Sequence, residues 1–160
     1  MKINMSEIQR ESESRKRIQQ EAKLWLNELY RMSKGELKEK QERAERLKPD
    51  DGAIDYSKDK IQNASTSSQE ERLLNYAMAV AAVEKLKEKI GRAERERCEM
   101  IDKLADGYER EILYARHINF KNWNQIEKEK RISVSTAHRI YNRALEHIYP
   151  FIKENEYGKP

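Results

Sequence analysis

With 160 residues, 39% of them charged and 37% hydrophobic, and only 5 Gly and 3 Pro, the chain has the composition of long solvated helices around a thin core. One cysteine, Cys98, excludes an intramolecular disulfide, and together with three scattered histidines it excludes a Cys-rich zinc site. The net charge of +4 is unevenly spread: residues 1–48 carry 13 Lys and Arg against 9 Asp and Glu, residues 49–104 carry 10 against 12, and residues 105–153 carry 9 against 6, so both ends are basic.

Residues 6–32 contain no Gly or Pro and are rich in Glu, Lys, Arg and Gln, which predicts a helix. Its apolar residues Leu24, Trp25, Leu26, Leu29 and Tyr30 gather at the C-terminal end, leaving the first part exposed. A second helix is expected from Gly35 to Lys48, with Leu37, Ala44 and Leu47 on one side, completing a charged N-terminal segment 1–48. It stops at Lys48-Pro49-Asp50-Asp51-Gly52, where proline disfavours the preceding turn. Residues 49–68 lose periodicity and read as a loop or linker, and Ser67 or Ser68 is suited to cap the next helix.

That helix, the strongest in the chain, is expected over residues 69–105. Leu73, Tyr76 or Ala77, Val80, Val83, Leu86 or Lys87, Ile90, Ala93, Arg97, Met100 or Ile101, and Leu104 recur at steps of three and four. So narrow a stripe needs another helix against it, either the N-terminal helices or the same helix of a second copy. At about 1.5 Å per residue it extends on the order of 50 Å, longer than a small domain needs for its own core. A scaffold helix is therefore expected, with self-association as a homodimer through it or an elongated shape. Nothing in the chain is a membrane span: no run of about 18 apolar residues occurs, and the opening MKINMSEIQRESESRKR lacks the apolar stretch of a signal peptide. A cytoplasmic protein is expected.

After Asp106-Gly107 three shorter helices are expected in a segment 106–153, with a flexible tail 154–160 beyond it. The first, Tyr108 to His117, turns Ile112 and Leu113 towards a core. Asn122 is suited to cap a second helix that contains Trp123 and Ile126 and ends near Lys130-Arg131. Ile132 is an apolar plug, and Ser133 caps a third helix that runs through Ile152. On this third helix Ala137, Ile140, Tyr141, Ala144 and Ile148 share one face, whereas Ser135, His138, Arg139, Asn142 and Arg143 look outward. The outward set has the donors and acceptors that read duplex DNA: Arg pairs with guanine, Asn with adenine, and positive charge attracts phosphate.

The runs Glu109-Arg110-Glu111-Ile112-Leu113-Tyr114-Ala115-Arg116, Trp123-Asn124-Gln125-Ile126, Ile132-Ser133, Ala137-His138-Arg139-Ile140-Tyr141 and Ala144-Leu145 resemble sigma factor region 4 over about 40 residues. The chain departs from that pattern at Arg116-His117, where the family has Arg-Tyr, at Glu127-Lys128, and at Ala137, where a branched aliphatic is usual. With Leu29, the Glu/Lys-rich turn to Leu47, the segment 56–62 and the long helix added, residues 22–150 resemble small phage transcriptional regulators of the ArpU and RinA type. The resemblance implies an all-α protein with a helix-turn-helix, sequence-specific binding of double-stranded DNA, and control of late phage genes in the cytoplasm of a bacterial host, with RNA polymerase as a further partner. It implies base contacts from Ser135, Thr136, His138, Arg139 and Asn142, and phosphate contacts from Lys121, Lys130, Arg131 and Arg143.

Two other classes fit parts of the pattern. A coiled-coil adaptor without DNA binding uses residues 69–104 alone. A phage small terminase-like packaging subunit joins a helix-turn-helix to oligomerising helices. No Gly-rich phosphate loop, catalytic carboxylate pair or activated nucleophile is present, so neither an enzyme nor a cofactor is expected, and His117, His138 and His147 lack the spacing of a helical metal pair.

Overall fold

The computed structural model describes residues 4–49 and 62–159. The described residues are helical with connecting turns and include no strand, so the fold is all-α. Their α-helices, in chain order, are α1 Met5–Tyr30, α2 Leu37–Leu47, α3 Gln62–Asp102, α4 Gly107–Leu113, α5 Trp123–Lys130 and α6 Val134–Tyr157. Residues 50–61, which include most of the expected linker and of the segment 56–62, lie outside the described residues.

Several boundaries differ from expectation, and the helix expected over Tyr108 to His117 is α-helical only to Leu113 and goes on as a π-helical turn Tyr114–Ile118. No break separates α1 from α2, because Arg31–Glu36 forms a π-helical turn that contains Gly35; such a turn takes up an extra residue within a continuing helix. Helix α3 begins at Gln62, seven residues ahead of the expected start at Gln69, so Ser67 and Ser68 lie inside it. Polar residues of modest propensity join a helix at small cost once its nucleus exists downstream. Finally, α6 continues to Tyr157, into the segment expected as a tail.

The chain forms two compact units, residues 1–31 with 92–160, and residues 32–91. In the second unit Met32, Ala44, Val83 and Leu86 are buried, and side chains of α2 and α3 line a common groove. Leu73, Leu74, Met78 and Val80 on α3 stay exposed, so among the described residues of this unit none covers these positions of the periodic stripe.

In the first unit one core joins Ala22 and Leu26 of α1, Met100, Ile101 and Leu104, Ile112 and Leu113 of α4, Ile126 of α5, and Ala137, Tyr141, Ala144, Leu145, Ile148 and Ile152 of α6. Ala22, Leu26 and Leu29 recur at steps of four and three and are buried, whereas Leu24 is exposed and Tyr30, partly exposed, meets Phe120 edge-on with centroids 5.3 Å apart. Helix α1 is fastened along α6. Gln19 Nε2 donates to Glu146 Oε1 at 3.0 Å, and Glu21 Oε2 accepts from the Tyr149 hydroxyl at 3.0 Å and lies 3.3 Å from Lys153 Nζ. The Tyr149 hydrogen bond above all, then Arg17 and Lys153, holds the Glu21 carboxyl below its ordinary pKa.

Arg97 fills the stripe position between Ala93 and Met100. Its guanidinium lies 4.3 Å over the Trp25 ring and donates to the Trp25 carbonyl at 2.5 Å and the Ala93 carbonyl at 3.1 Å. Burial lowers its pKa, and its Nε has no hydrogen-bond partner.

Candidate nucleic-acid interface

The expected interface begins with two well-capped helices. At the start of α5, Asn122 accepts from the Gln125 backbone N–H at 2.9 Å and Gln125 returns a side-chain acceptor to the Asn122 N–H at 2.9 Å, a reciprocal capping box. Helix α5 ends where Arg131 turns left-handed, with φ of 54°. Only two residues then intervene before α6: Ile132, half-buried against the core, and Ser133, whose hydroxyl oxygen accepts from the Thr136 N–H at 3.1 Å. The turn is short because a left-handed residue reverses the chain at once and a serine cap satisfies the next helix start.

The core-forming residues behind this turn occupy the expected face. Ile112, Leu113, Ile126, Ala137, Tyr141 and Ala144 are buried, while Trp123, Ile132 and Ile140 are partly buried against them. Tyr141 shares a 3.0 Å hydrogen bond with the buried His117, and the two rings stack with centroids 5.6 Å apart. Burial first, then Arg116, Lys23 and Arg97, lowers the His117 pKa to about 3, and burial raises that of Tyr141 to about 12. The pair is uncharged at neutral pH.

The outward residues divide into four groups. Ser135, Arg139 and Asn142 are exposed at steps of four and three, hence on one face. His138 is exposed but packs on Trp123, with centroids 3.9 Å apart. Thr136 belongs to the cap, its hydroxyl accepting from Ser133 Oγ at 2.9 Å. Arg143 turns towards α4, where its Nε donates to Glu109 Oε1 at 2.9 Å.

Sequence reasoning assigned Glu109 no part of its own, since its partners lie 34 and 38 residues away. Its side chain is 2% exposed and its carboxylate also meets His147 Nδ1 at 2.9 Å. A carboxylate taken so far from water needs such partners. The acid therefore locks α4 to α6 and directs Arg143 along the helix flank.

The expected phosphate contacts also differ in their surroundings. Lys121 pairs with Glu129 at 2.5 Å and Lys130 with Glu111 at 3.0 Å. Among the described residues, neither Arg131 nor Arg139 has an ion pair or hydrogen bond through its side chain. Both are open to solvent, at the start of the turn and on the outer face of α6.

Beside that face lies a groove of about 310 Å³ between α1 and α6. Among the described residues it is lined by the cations Lys16, Lys23 and Arg116 and by four amides, with no Asp or Glu. Arg116 is braced over the Trp123 ring at 5.3 Å and donates to the Lys121 carbonyl at 2.9 Å. The polar spacing of Lys16, Gln20, Lys23 and Asn27 is visible in the sequence, but its position beside α6 is not. Among the described residues no group of three or more His, Cys, Asp or Glu is placed to hold a metal ion, and no helix is long and apolar enough to cross a membrane. In comparisons with family models, curated proteins and solved structures, the chain matches none.

Proposed function

We propose that this chain is a sequence-specific double-stranded DNA-binding protein, a phage or prophage transcriptional regulator that grips DNA with a sigma region 4-like helix-turn-helix formed by α4, α5 and α6. Helix α6 is the recognition helix. The observation that carries this reading is its outer face: Ser135, Arg139 and Asn142 exposed together, with the Arg139 guanidinium free of any ion pair, on a helix whose other side is anchored in the core. An unpaired guanidinium is available for the two-pronged contact to guanine, and an asparagine one turn on suits adenine. Arg131 reaches phosphate from the turn, and Lys121 and Lys130 exchange exposed carboxylate partners, worth little in water, for phosphate oxygens. RNA polymerase is a second partner in this reading, the host cytoplasm its place of action, and a second copy docks through the exposed apolar residues of α3.

A salt-titrated binding assay on fragments from the protein's own genetic neighbourhood tests the proposal. Arg139→Ala is expected to cost about 1–3 kcal/mol on the preferred site and much less on random DNA, while Lys130→Ala weakens both alike. Equal losses on both sequences for Arg139→Ala remove α6 from the role of reader. Assembly into a ring of many copies favours a packaging subunit instead, and absence of any salt-sensitive DNA affinity leaves the adaptor reading.

A further inference from the structure

We infer that α1 is a second DNA-contacting element, a phosphate clamp that lies beside the recognition helix and acts through Lys16 and Lys23. The inference rests on the reading of α6 as the helix that enters the major groove, and adds to it a surface that sequence reasoning assigned to no partner.

The geometry carries it. Lys16, Gln20, Lys23 and Asn27 recur on α1 at steps of four, three and four, so they form one stripe. All four are exposed, and all four line the groove whose opposite wall includes His138 and Asn142 of α6. Among the described residues the side chains of Lys16 and Lys23 have no hydrogen bond or ion pair. Among the described residues no carboxylate lines the groove, in a chain where 29 of 160 residues are acidic. Glu146 of α6, near this groove, accepts from the Gln19 amide. The stripe is therefore a cationic rail next to the proposed reading face.

Dimensions decide what such a rail can touch. A major groove about 12 Å wide is filled by one helix with its side chains. A helix packed against that one has its axis about 8–10 Å to the side. It cannot enter the same groove and comes to lie over the sugar-phosphate strand at the rim. Long lysines there meet phosphate oxygens and no base edge, so they contribute affinity and salt dependence without sequence preference. Arg116, braced on Trp123 at the floor of the groove, adds a fixed positive charge behind them.

The test uses the full chain with two duplexes about three helical turns long, one of mixed sequence and one that the protein enriches from a randomised pool. Binding is followed by fluorescence anisotropy across a salt series. Lys16→Gln combined with Lys23→Gln is expected to reduce the slope of log affinity against log salt by about 2. Affinity falls by the same factor on both duplexes, so the ratio between them is unchanged. The corresponding Lys16→Arg and Lys23→Arg pair keeps the wild-type slope, because charge at the rail is what matters. An unchanged slope in the Gln pair, a loss confined to the enriched sequence, or an equal loss in the Arg pair overturns the clamp while leaving α6 as reader. If wild-type protein shows no salt-dependent affinity for either duplex, the reading of α6 fails and the clamp fails with it.

Discussion

His117 shows how one buried side chain ties stability to pH. Its imidazole is enclosed beside Tyr141, with Arg116, Lys23 and Arg97 all disfavouring a further positive charge. The unfolded chain takes up a proton at the ordinary pKa of 6.5, whereas the folded chain refuses it until about 3. Stability from this group is therefore complete above pH 6.5 and is lost progressively as the pH falls towards 3. At pH 5 the expected loss is roughly 2 kcal/mol. Thermal denaturation at pH 7 and pH 5 measures it, and His117→Gln is expected to narrow the difference between the two. If the variant loses as much as the wild type over that window, other groups are responsible. The hydrogen bond to Tyr141 gives His117 its place in the core. Glu109 is the other residue whose part emerged only in three dimensions, since neither burial nor two basic partners a helix away can be seen from its neighbours in sequence.

Among the elements, α5 and α6 were the most legible. Their caps are local: Asn122 and Ser133 act on amides three residues away, so the chain itself encodes them. Ser133→Ala is expected to cost about 1 kcal/mol by removing the acceptor for the Thr136 N–H, whereas Ser133→Asp restores it. Chemical denaturation of the two variants checks this, and no difference between them means that the cap adds nothing measurable. The starts and joins of the longer helices were less legible. The π-helical turn between α1 and α2 and the early start of α3 depend on how a helix propagates through weak formers, and a run such as Asn63-Ala64-Ser65-Thr66-Ser67-Ser68 reads as a loop when composition alone is weighed.

For the molecule as a whole, self-association is the part of the proposed function that rests on the exposed apolar residues of α3. Within residues 32–91, Leu73, Leu74 and Met78 are 55%, 59% and 62% exposed. Apolar side chains at helical spacing are expected to be covered by the same face of a second copy. Leu74→Lys combined with Met78→Lys is expected to convert a dimer into a monomer in sedimentation equilibrium and to weaken DNA binding by removing the second grip. A wild-type protein that sediments as a monomer at all concentrations contradicts the expectation, and DNA affinity that is unaffected by the double variant separates dimerisation from binding.

Local sequence was enough to specify the all-α class, the two capped helices with the turn between them, and the division of α6 into a buried and an outward face. These features arise from periodicity and from contacts spanning three or four residues, and both are written along the chain. Long-range packing, by contrast, settled that α1 lies along α6, that Glu109 diverts Arg143, and that His138 rests on Trp123. Those outcomes join residues between 15 and 127 positions apart. They depend on which apolar stripes meet when the core closes, since many charged faces are equally acceptable to water and their partners are fixed only by packing.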